Sequence, residues 1–131
     1  MNQFKEAPWS DKLDILALAF NRLTEFDDFD RCPKLSVLIL NDNKLKKISG
    51  NIFKLKGLKT LDLSNNDLPD LPSEVGFINS LVRMQIEGNP LKAIRQNIRA
   101  SGTNNLKNYL RDRMDVKQRE SLEKNLAPDT D

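Results

Sequence analysis

The chain has 131 residues, of which 38% are hydrophobic and 31% charged, and its formal net charge is +2 at pH 7. This length suits a single domain, and the absence of a long apolar run argues against a membrane span. The net charge is too small to predict a polyanionic partner. The sequence has no histidine, which excludes His-dependent catalytic dyads and the commonest zinc ligand. The single Cys32 and the absence of an apolar stretch in residues 1–12 favour a reducing, intracellular compartment.

The dominant feature along the chain is a repeat with a period of 22 to 23 residues. Each copy begins with the eleven-position template L-x-x-L-x-L-x-x-N-x-L, in which the fourth and sixth positions are Leu, Met or Ile. The copies start at Leu13, Leu35, Leu58 and Leu81.

This template resembles the leucine-rich repeat, and the resemblance covers nearly the whole chain. It implies an α/β fold in which each repeat adds one parallel strand and one convex return segment: a right-handed solenoid, or alpha-beta horseshoe, with a parallel concave sheet. Positions one, four, six and eleven would then fill a stacked apolar core. The buried amide at position nine would satisfy backbone groups where the chain leaves each strand. We therefore expect a structural asparagine ladder of Asn21, Asn43, Asn66 and Asn89.

The second half of each repeat predicts a short helical segment on the convex side. Residues 71–80 resemble the L-P-x-E-I-G segment of intracellular leucine-rich repeats, and the corresponding stretches are 26–34 and 48–57. Within the first of these segments, Leu71, Val75 and Ile78 lie at helical spacing, which predicts one or two helical turns.

The repeats span residues 13–91, and two interpretations of residues 1–12 are open. Residues 3–13 align without gaps on residues 25–35, so this segment has the pattern of the convex half of a repeat. It is either a minimal N-terminal cap with Trp9 as its lid, or a partial repeat of a longer array. The second interpretation is favoured, since terminal repeats normally need a polar cap.

Residues 92–126 predict a C-terminal cap that contains a helix, and residues 127–131 a short tail. Thr103 is the expected N-cap residue of this helix, with Gly102 in the turn before it. Apolar residues at helical spacing would cover the open end of the core. They are Leu106, Tyr109, Leu110 and Met114, with Leu122 and Leu126 extending the stripe more weakly.

The segment from Gly88 to Arg111 is similar to the closing segment of the leucine-rich-repeat-containing protein 40 group, and to the Ras-group intracellular leucine-rich repeat proteins. This resemblance implies a noncatalytic scaffold in the cytoplasm, or alternatively the nucleus. A small GTPase is a candidate partner by this analogy alone.

The concave sheet is the predicted site for a protein partner. Its side chains are apolar in the first two repeats and polar or charged in the last two, and contiguous exposed apolar patches often mark interaction surfaces. The alternative is that Ile15, Val37 and Ile39 simply suit strands or pack on an upstream segment. The predicted partner-binding residues are Ile15, Ala17, Phe20, Val37, Ile39, Asn41, Thr60, Asp62, Ser64, Arg83, Gln85 and Glu87.

Two other functions stay open at this point. The domain is alternatively the architectural, C-terminal capping portion of a larger leucine-rich repeat scaffold, with no ligand of its own. A third interpretation is binding of RNA or an anionic surface through residues 92–126, where Lys and Arg outnumber acidic residues. Nucleic acid is the less favoured partner, because acidic residues are interspersed there and only Tyr109 offers a ring for base stacking.

The sequence predicts no enzyme, no cofactor and no metal, and a monomer. It lacks a P-loop and the common hydrolase and metalloprotease motifs. Asp62 and Glu87 fall on the concave face, but as solvated carboxylates without a pocket to shift their pKa values. The acidic run at residues 27–30 lacks the spacing of a calcium-binding loop.

Overall fold

A computed structural model describes residues 12–27 and 29–126 of the chain. Four short parallel strands form one sheet in sequence order. The strands are β1 (Ile15–Ala17), β2 (Val37–Ile39), β3 (Thr60–Asp62) and β4 (Arg83–Gln85). Three 3-10 helices alternate with them, at Phe29–Arg31, Gly50–Lys54 and Ser73–Phe77. Three α-helices follow, α1 (Gln96–Arg99), α2 (Thr103–Asp112) and α3 (Val116–Leu126).

Each strand consists of template positions three, four and five. In a strand, successive side chains point to opposite faces of the sheet, so position four enters the core while positions three and five face away from it. The strands pair in register, with Leu16, Leu38, Leu61 and Met84 aligned across the sheet. All four of these side chains are buried. The period of 22 to 23 residues therefore stacks equivalent positions directly on one another.

The core lies between the sheet and the 3-10 helices, and its burial is uneven along the solenoid. In the second and third repeats, the leucines at positions one, four, six and eleven are fully buried. In the first repeat, Leu13, Leu18 and Leu23 are half-buried and pack against the rim of the same cluster. The convex segments contribute large apolar groups, among them Phe29, Ile52 and Val75.

The asparagines at position nine connect neighbouring repeats. Asn66 Oδ1 accepts a hydrogen bond from the Leu45 amide at 3.0 Å, and its Nδ2 donates to the carbonyl oxygens of Leu40 and Leu63 at 3.0 and 2.9 Å. Asn43 and Asn89 make the equivalent bonds one repeat earlier and one repeat later. Three buried carboxamides thus satisfy backbone groups on both sides of a repeat boundary.

Asn21 departs from the expectation of a buried ladder residue. Its side chain is exposed and donates only to the Leu18 and Ala19 carbonyl oxygens of its own repeat. The physical reason is positional: the other three asparagines bond backward to the preceding repeat, and the described residues before Asn21 supply no equivalent groups.

Helix α2 covers the β4 end of the core with buried Leu106 and Leu110. It packs against the third 3-10 helix so closely that a Cβ on Gly76 would lie 2.6 Å from the Lys107 carbonyl oxygen and 2.8 Å from the Arg111 amide nitrogen. Gly76 is therefore required for this contact. Tyr109, Met114 and Leu122 are half-buried, and the Leu126 side chain lies outside the described set.

The expected N-cap role of Thr103 was wrong. Helix α2 begins at Thr103 itself, and the N-cap position belongs to Gly102, whose φ of 98° is accessible to glycine at little cost. The Thr103 hydroxyl instead accepts a hydrogen bond from the Met84 amide at 3.1 Å. This hydrogen bond satisfies a backbone N–H group on the outer side of β4, which is an edge strand of the sheet.

Several interpretations concern residues outside the described ranges, namely the cap or partial repeat at 1–11 with Trp9, and the tail at 127–131. In the part of the chain that is described, no helix has the length and apolarity needed to cross a membrane.

Candidate protein-interaction face

The concave face is the side of the sheet turned away from the core, and its first half is apolar. Ile15 and Ala17 on β1 lie beside Val37 and Ile39 on β2, in register. The Ile15 side chain is 58% exposed, whereas Val37 and Ile39 are half-buried. We call Ile15, Ala17, Val37, Ile39 and the nearby Phe20 the apolar patch.

Phe20 is the most unusual member of the apolar patch. Its side chain is 78% exposed, and its backbone is left-handed with a φ of 59°. The same position holds Asp42, Asn65 and Gly88 in the later repeats, all with φ between 58° and 78°. Asn, Asp and Gly tolerate this conformation, whereas a bulky aromatic residue there is strained. The sequence expectation placed Phe20 on the face without recognising that position eight is a left-handed turn.

The backbone requirement at position eight has a simple origin. Its amide continues the hydrogen-bond ladder beyond the strand: Phe20 donates to the Asn41 carbonyl oxygen at 3.0 Å, and Asn65 donates to that of Glu87 at 2.8 Å. The chain must turn outward while it keeps this bond, and the left-handed conformation achieves both. The fold therefore imposes the turn, and the choice of phenylalanine in the first repeat is not explained by the fold.

The second half of the concave face is polar and locally ordered. Asp62 Oδ1 accepts hydrogen bonds from the Ser64 amide and hydroxyl at 3.0 and 2.7 Å. At the end of the second repeat, which borders this half, Asn41 donates to the Asp42 carboxylate at 2.6 Å. Thr60 and Gln85 are half-buried, whereas Arg83 and Glu87 are exposed. The structure thus places all twelve predicted partner-binding residues on or at the end of one sheet face, which leaves their role in binding as a prediction.

Along strands β2–β4, basic side chains lie near the strand starts and acidic side chains near the strand ends. Exposed Lys59 and Arg83 lie where the chain enters β3 and β4, and Asp42, Asp62 and Glu87 lie where it leaves β2, β3 and β4. Sequence reasoning omitted Lys59, because position two precedes the strand.

Three basic residues of the C-terminal segment, Lys107, Arg111 and Arg113, hold the cap in place. Arg113 donates to the Asp70 carboxylate at 2.9 and 3.2 Å, to the Ser73 hydroxyl, and to the Leu71 carbonyl oxygen at 2.7 Å. The Arg111 guanidinium lies over the Phe77 ring, 4.7 Å from its centroid. These cations are committed to intramolecular contacts, which weakens the interpretation of this segment as an RNA-binding surface.

Lys107 is also committed to the cap. Its Nζ donates to the Leu81 carbonyl oxygen at 2.8 Å. Partial burial of this ammonium, with a smaller contribution from the neighbouring Arg111 cation, lowers the pKa of Lys107 below its ordinary value of 10.5.

The described residues form no cluster of side chains that is recognisable as a catalytic or metal-binding site. No group of three or more His, Cys, Asp or Glu side chains within 12–27 and 29–126 is arranged to bind a metal ion. In the acidic run, the Phe29 ring is buried and Asp30 forms an exposed ion pair with Lys54 at 3.1 Å. Asp28 lies outside the described residues.

Comparison with known proteins relates this geometry to a family. Residues 33–91 match the leucine-rich repeat family model. Human Toll-like receptor 6 is 36% identical over 83 residues, and rat lumican is 33% identical over 89 residues. These matches cover 62% and 66% of this chain, but only 10% of the receptor and 26% of lumican. The chain therefore corresponds to a small part of these relatives.

Solved structures show the same architecture. A leucine-rich repeat protein of Leptospira interrogans superimposes with a TM-score of 0.57 at 34% identity, over 60% of this chain and 20% of that one. A chain of the Drosophila melanogaster SNF/U2A′ complex superimposes with a TM-score of 0.58 over 88% of this chain and 76% of that one. Its 20% identity shows a shared fold alone. The predicted α/β leucine-rich repeat solenoid is confirmed as the fold, and the leucine-rich repeat family model matches residues 33–91 of it.

Proposed function

We propose that this chain is a noncatalytic protein-interaction module whose partner docks on the concave face. Leucine-rich repeat domains generally bind other proteins, and the extended sheet of a solenoid offers a suitable surface. The observation that supports this site is Phe20, an exposed aromatic side chain held in a strained backbone conformation. Strained residues that the fold itself does not need tend to occur at functional sites.

The partner's chemistry follows from the composition of the face. The apolar patch would accept one or two large apolar side chains, because buried aromatic and aliphatic anchors supply most of the affinity at protein interfaces. Asp42, Asp62 and Glu87 at the strand exits would favour basic residues beside that anchor. Arg83 and Lys59 would set the orientation by pairing with acidic residues on the opposite side.

Phe20→Asn provides a test in which stability and function change in opposite directions. Asparagine tolerates the left-handed backbone, so the free energy of unfolding should rise by about 1 kcal/mol. Partner capture from lysate of the source cells should fall, because the anchor is lost. The matched control is Val82→Asn, which removes another exposed apolar side chain (70% exposed) that lies outside the apolar patch.

A second variant, Ile15→Glu, removes apolar contact area at the most exposed strand position of the patch. It is preferred to Ile39→Glu, because Ile39 is half-buried and a charge there would also perturb packing. A partner that binds wild type and the Val82→Asn control, and that Phe20→Asn and Ile15→Glu both lose, would support the proposal. Capture that is unchanged in both patch variants would refute the concave-face site and favour an architectural role for the domain.

The identity and location of the partner are separate parts of the proposal. The resemblance to Ras-group proteins favours a small GTPase in the cytoplasm or nucleus, and this prediction rests on that analogy. A direct test is titration of purified small GTPases, in GDP- and GTP-loaded forms, against wild type and Phe20→Asn. Binding that depends on Phe20 would support the analogy, and absence of binding across the panel would count against it.

A further inference from the structure

The fourth repeat ends differently from the second and third. In the second and third repeats, the amides of Lys44 and Asp67 at position ten donate to the leucine carbonyl oxygen at position eleven of the preceding repeat, at 2.8 and 2.9 Å. The fourth repeat has Pro90 at this position, which has no amide proton. The Leu91 amide makes the bond instead, to the Leu68 carbonyl oxygen at 3.0 Å. Leu91 adopts a left-handed backbone with a φ of 42° to do so.

The altered turn at Pro90 and Leu91 borders a cleft of about 290 Å³, which lies between the turn after β4 and helix α1. Buried Ile86 and Leu91 and exposed Ala100 supply apolar lining, and Glu87, Gln96 and Arg99 supply polar groups. Gly88 lines it with backbone alone, because its φ is 78° and a Cβ there would collide with the Asn65 side chain. The volume is enough for one amino-acid side chain and a small polar group.

Arg99 is the cationic group of this cleft, and it is incompletely paired. Its Nη1 donates weakly to the Pro90 carbonyl oxygen at 3.4 Å. Its Nε is buried without a hydrogen-bond partner among the described residues, and no ion pair to Arg99 occurs among them. A buried donor on a cation is costly when unsatisfied, so such a group calls for an explanation.

We propose that this cleft binds a carboxylate carried on a short aliphatic stem, with the Arg99 guanidinium as the anion-binding group. A guanidinium presents parallel N–H donors that match the two oxygens of a carboxylate. The apolar lining would contact the aliphatic stem. Glu87 at the rim would repel a dianionic phosphate more strongly than a singly charged carboxylate. Two sources share this chemistry: the C-terminal residue of a polypeptide and an internal glutamate side chain.

Small probes test this proposal without a protein partner, so it stands or falls independently of the concave face. N-acetyl-leucine represents a chain terminus, and N-acetyl-glutamic acid α-amide represents an internal glutamate. N-acetyl-leucinamide is the uncharged control, and inorganic phosphate is the competing anion. Binding would be measured by NMR from the Gly88 and Ala100 amide shifts, with Gly76 as a remote reference.

We expect at least one carboxylate probe to produce saturable shifts at Gly88 and Ala100, with a smaller response to phosphate and none to N-acetyl-leucinamide. Arg99→Gln should weaken this binding about tenfold, since charge-assisted hydrogen bonds are lost. The matched control Arg95→Gln removes an exposed arginine near the cleft and should leave binding within about twofold, because solvent screens such a charge. Melting temperatures of both variants establish that they are folded.

The two carboxylate probes distinguish the source. Tighter binding of N-acetyl-leucine indicates recognition of a chain terminus, and tighter binding of the glutamate probe indicates recognition of a side chain. Equal binding of N-acetyl-leucine and N-acetyl-leucinamide would overturn the proposal, as would shifts that persist in Arg99→Gln. Failure of both carboxylates to shift Gly88 and Ala100 at tens of millimolar would also overturn it, because weak fragments are still detected at that concentration.

Discussion

The two ends of the sheet contain the same template but differ in how deeply the described residues there are buried. At β4, helix α2 buries the core, Thr103 bonds the strand edge, and Arg113 ties the cap to the third repeat. At β1, the equivalent leucines Leu13, Leu18 and Leu23 are half-buried and Ile15 is largely exposed. The difference shows that the same template position does not contribute the same free energy in every repeat. Its contribution depends on the repeats or helices that pack against it.

This contrast also separates the two proposed sites. The apolar patch lies at the less covered β1 end, where exposed apolar area is available for an interface. The Arg99 cleft lies at the β4 end, where the chain leaves the regular repeat and enters the cap. The following variants test the contrast between the ends, beginning with the largest expected effect.

Paired leucine truncations compare the core at the two ends. Leu61→Ala removes a fully buried side chain between two repeats, and we expect a loss of about 2–5 kcal/mol in the free energy of unfolding. Leu16→Ala, at the same template position on β1, should cost less, because Leu16 retains 9% exposure and its surroundings can relax. Urea denaturation of both variants measures the difference. Equal losses would contradict the uneven burial described above.

Paired asparagine truncations compare the stability lost at a buried ladder residue, Asn66, with that lost at the exposed Asn21. Asn66→Ala leaves the Leu45 amide without its partner, while the Leu40 and Leu63 carbonyl oxygens keep one donor each, from Asn43 and Asn89. We therefore expect a loss of about 1–3 kcal/mol in the free energy of unfolding. Asn21→Ala removes bonds that solvent can replace, and its loss should stay below about 1 kcal/mol. Hydrogen exchange at Leu45 provides a local readout. Its amide should lose protection in Asn66→Ala and keep it in Asn21→Ala.

Arg113→Ala tests the attachment of the cap. Its Nη1 contacts both carboxylate oxygens of Asp70, and the guanidinium makes further bonds to Ser73 and Leu71, so we expect a loss of about 1–3 kcal/mol. Arg119→Ala is the control, because its contact with Asp112 is 3.8 Å long and exposed, and such pairs contribute about 0–1 kcal/mol. Similar stabilities for the two variants would argue against a clamping role.

The smallest effect concerns pH. The pKa of Lys107 is lowered in the folded protein, so the unfolded chain binds more protons between that pKa and 10.5. The free energy of unfolding of wild type, relative to Lys107→Met, should therefore increase as the pH rises toward 10.5. Urea titrations of both proteins from neutral to alkaline pH measure this difference. A difference that is constant or falls with pH would contradict the burial of the charged ammonium.

The template alone predicted much of the fold, because its apolar positions have a single consistent burial pattern. The strands, their register and the convex helical turns follow from the spacing of Leu35, Leu38 and Leu40 and their counterparts. Thr103 shows where local rules failed. Its N-cap assignment rested on residue type, but a free amide on Met84 competed for the hydroxyl, and only the tertiary structure reveals that competitor.

The sites were less predictable, because they depend on backbone conformation and on contacts distant in sequence. The face residues could be read from strand alternation, but the strain at Phe20 could not, since no pattern marks position eight as left-handed in a single repeat. A comparison of that column was the available signal, because Asp, Asn and Gly occupy it in the other three repeats. The contact between Arg113 and Asp70 joins residues 43 positions apart and has no such signal.

The direction of the asparagine bonds has a consequence for synthesis of the chain. Each turn is completed by a carboxamide from the repeat that follows it, as the Leu23 amide is by Asn43 and the Leu45 amide by Asn66. The ribosome makes the chain from its N-terminus, so each of the first three repeats emerges before the asparagine that completes its turn. The nascent solenoid therefore carries one open turn at its growing end at every stage. Only the last repeat, which bonds through Leu91 and is followed by the cap helix, ends that dependence.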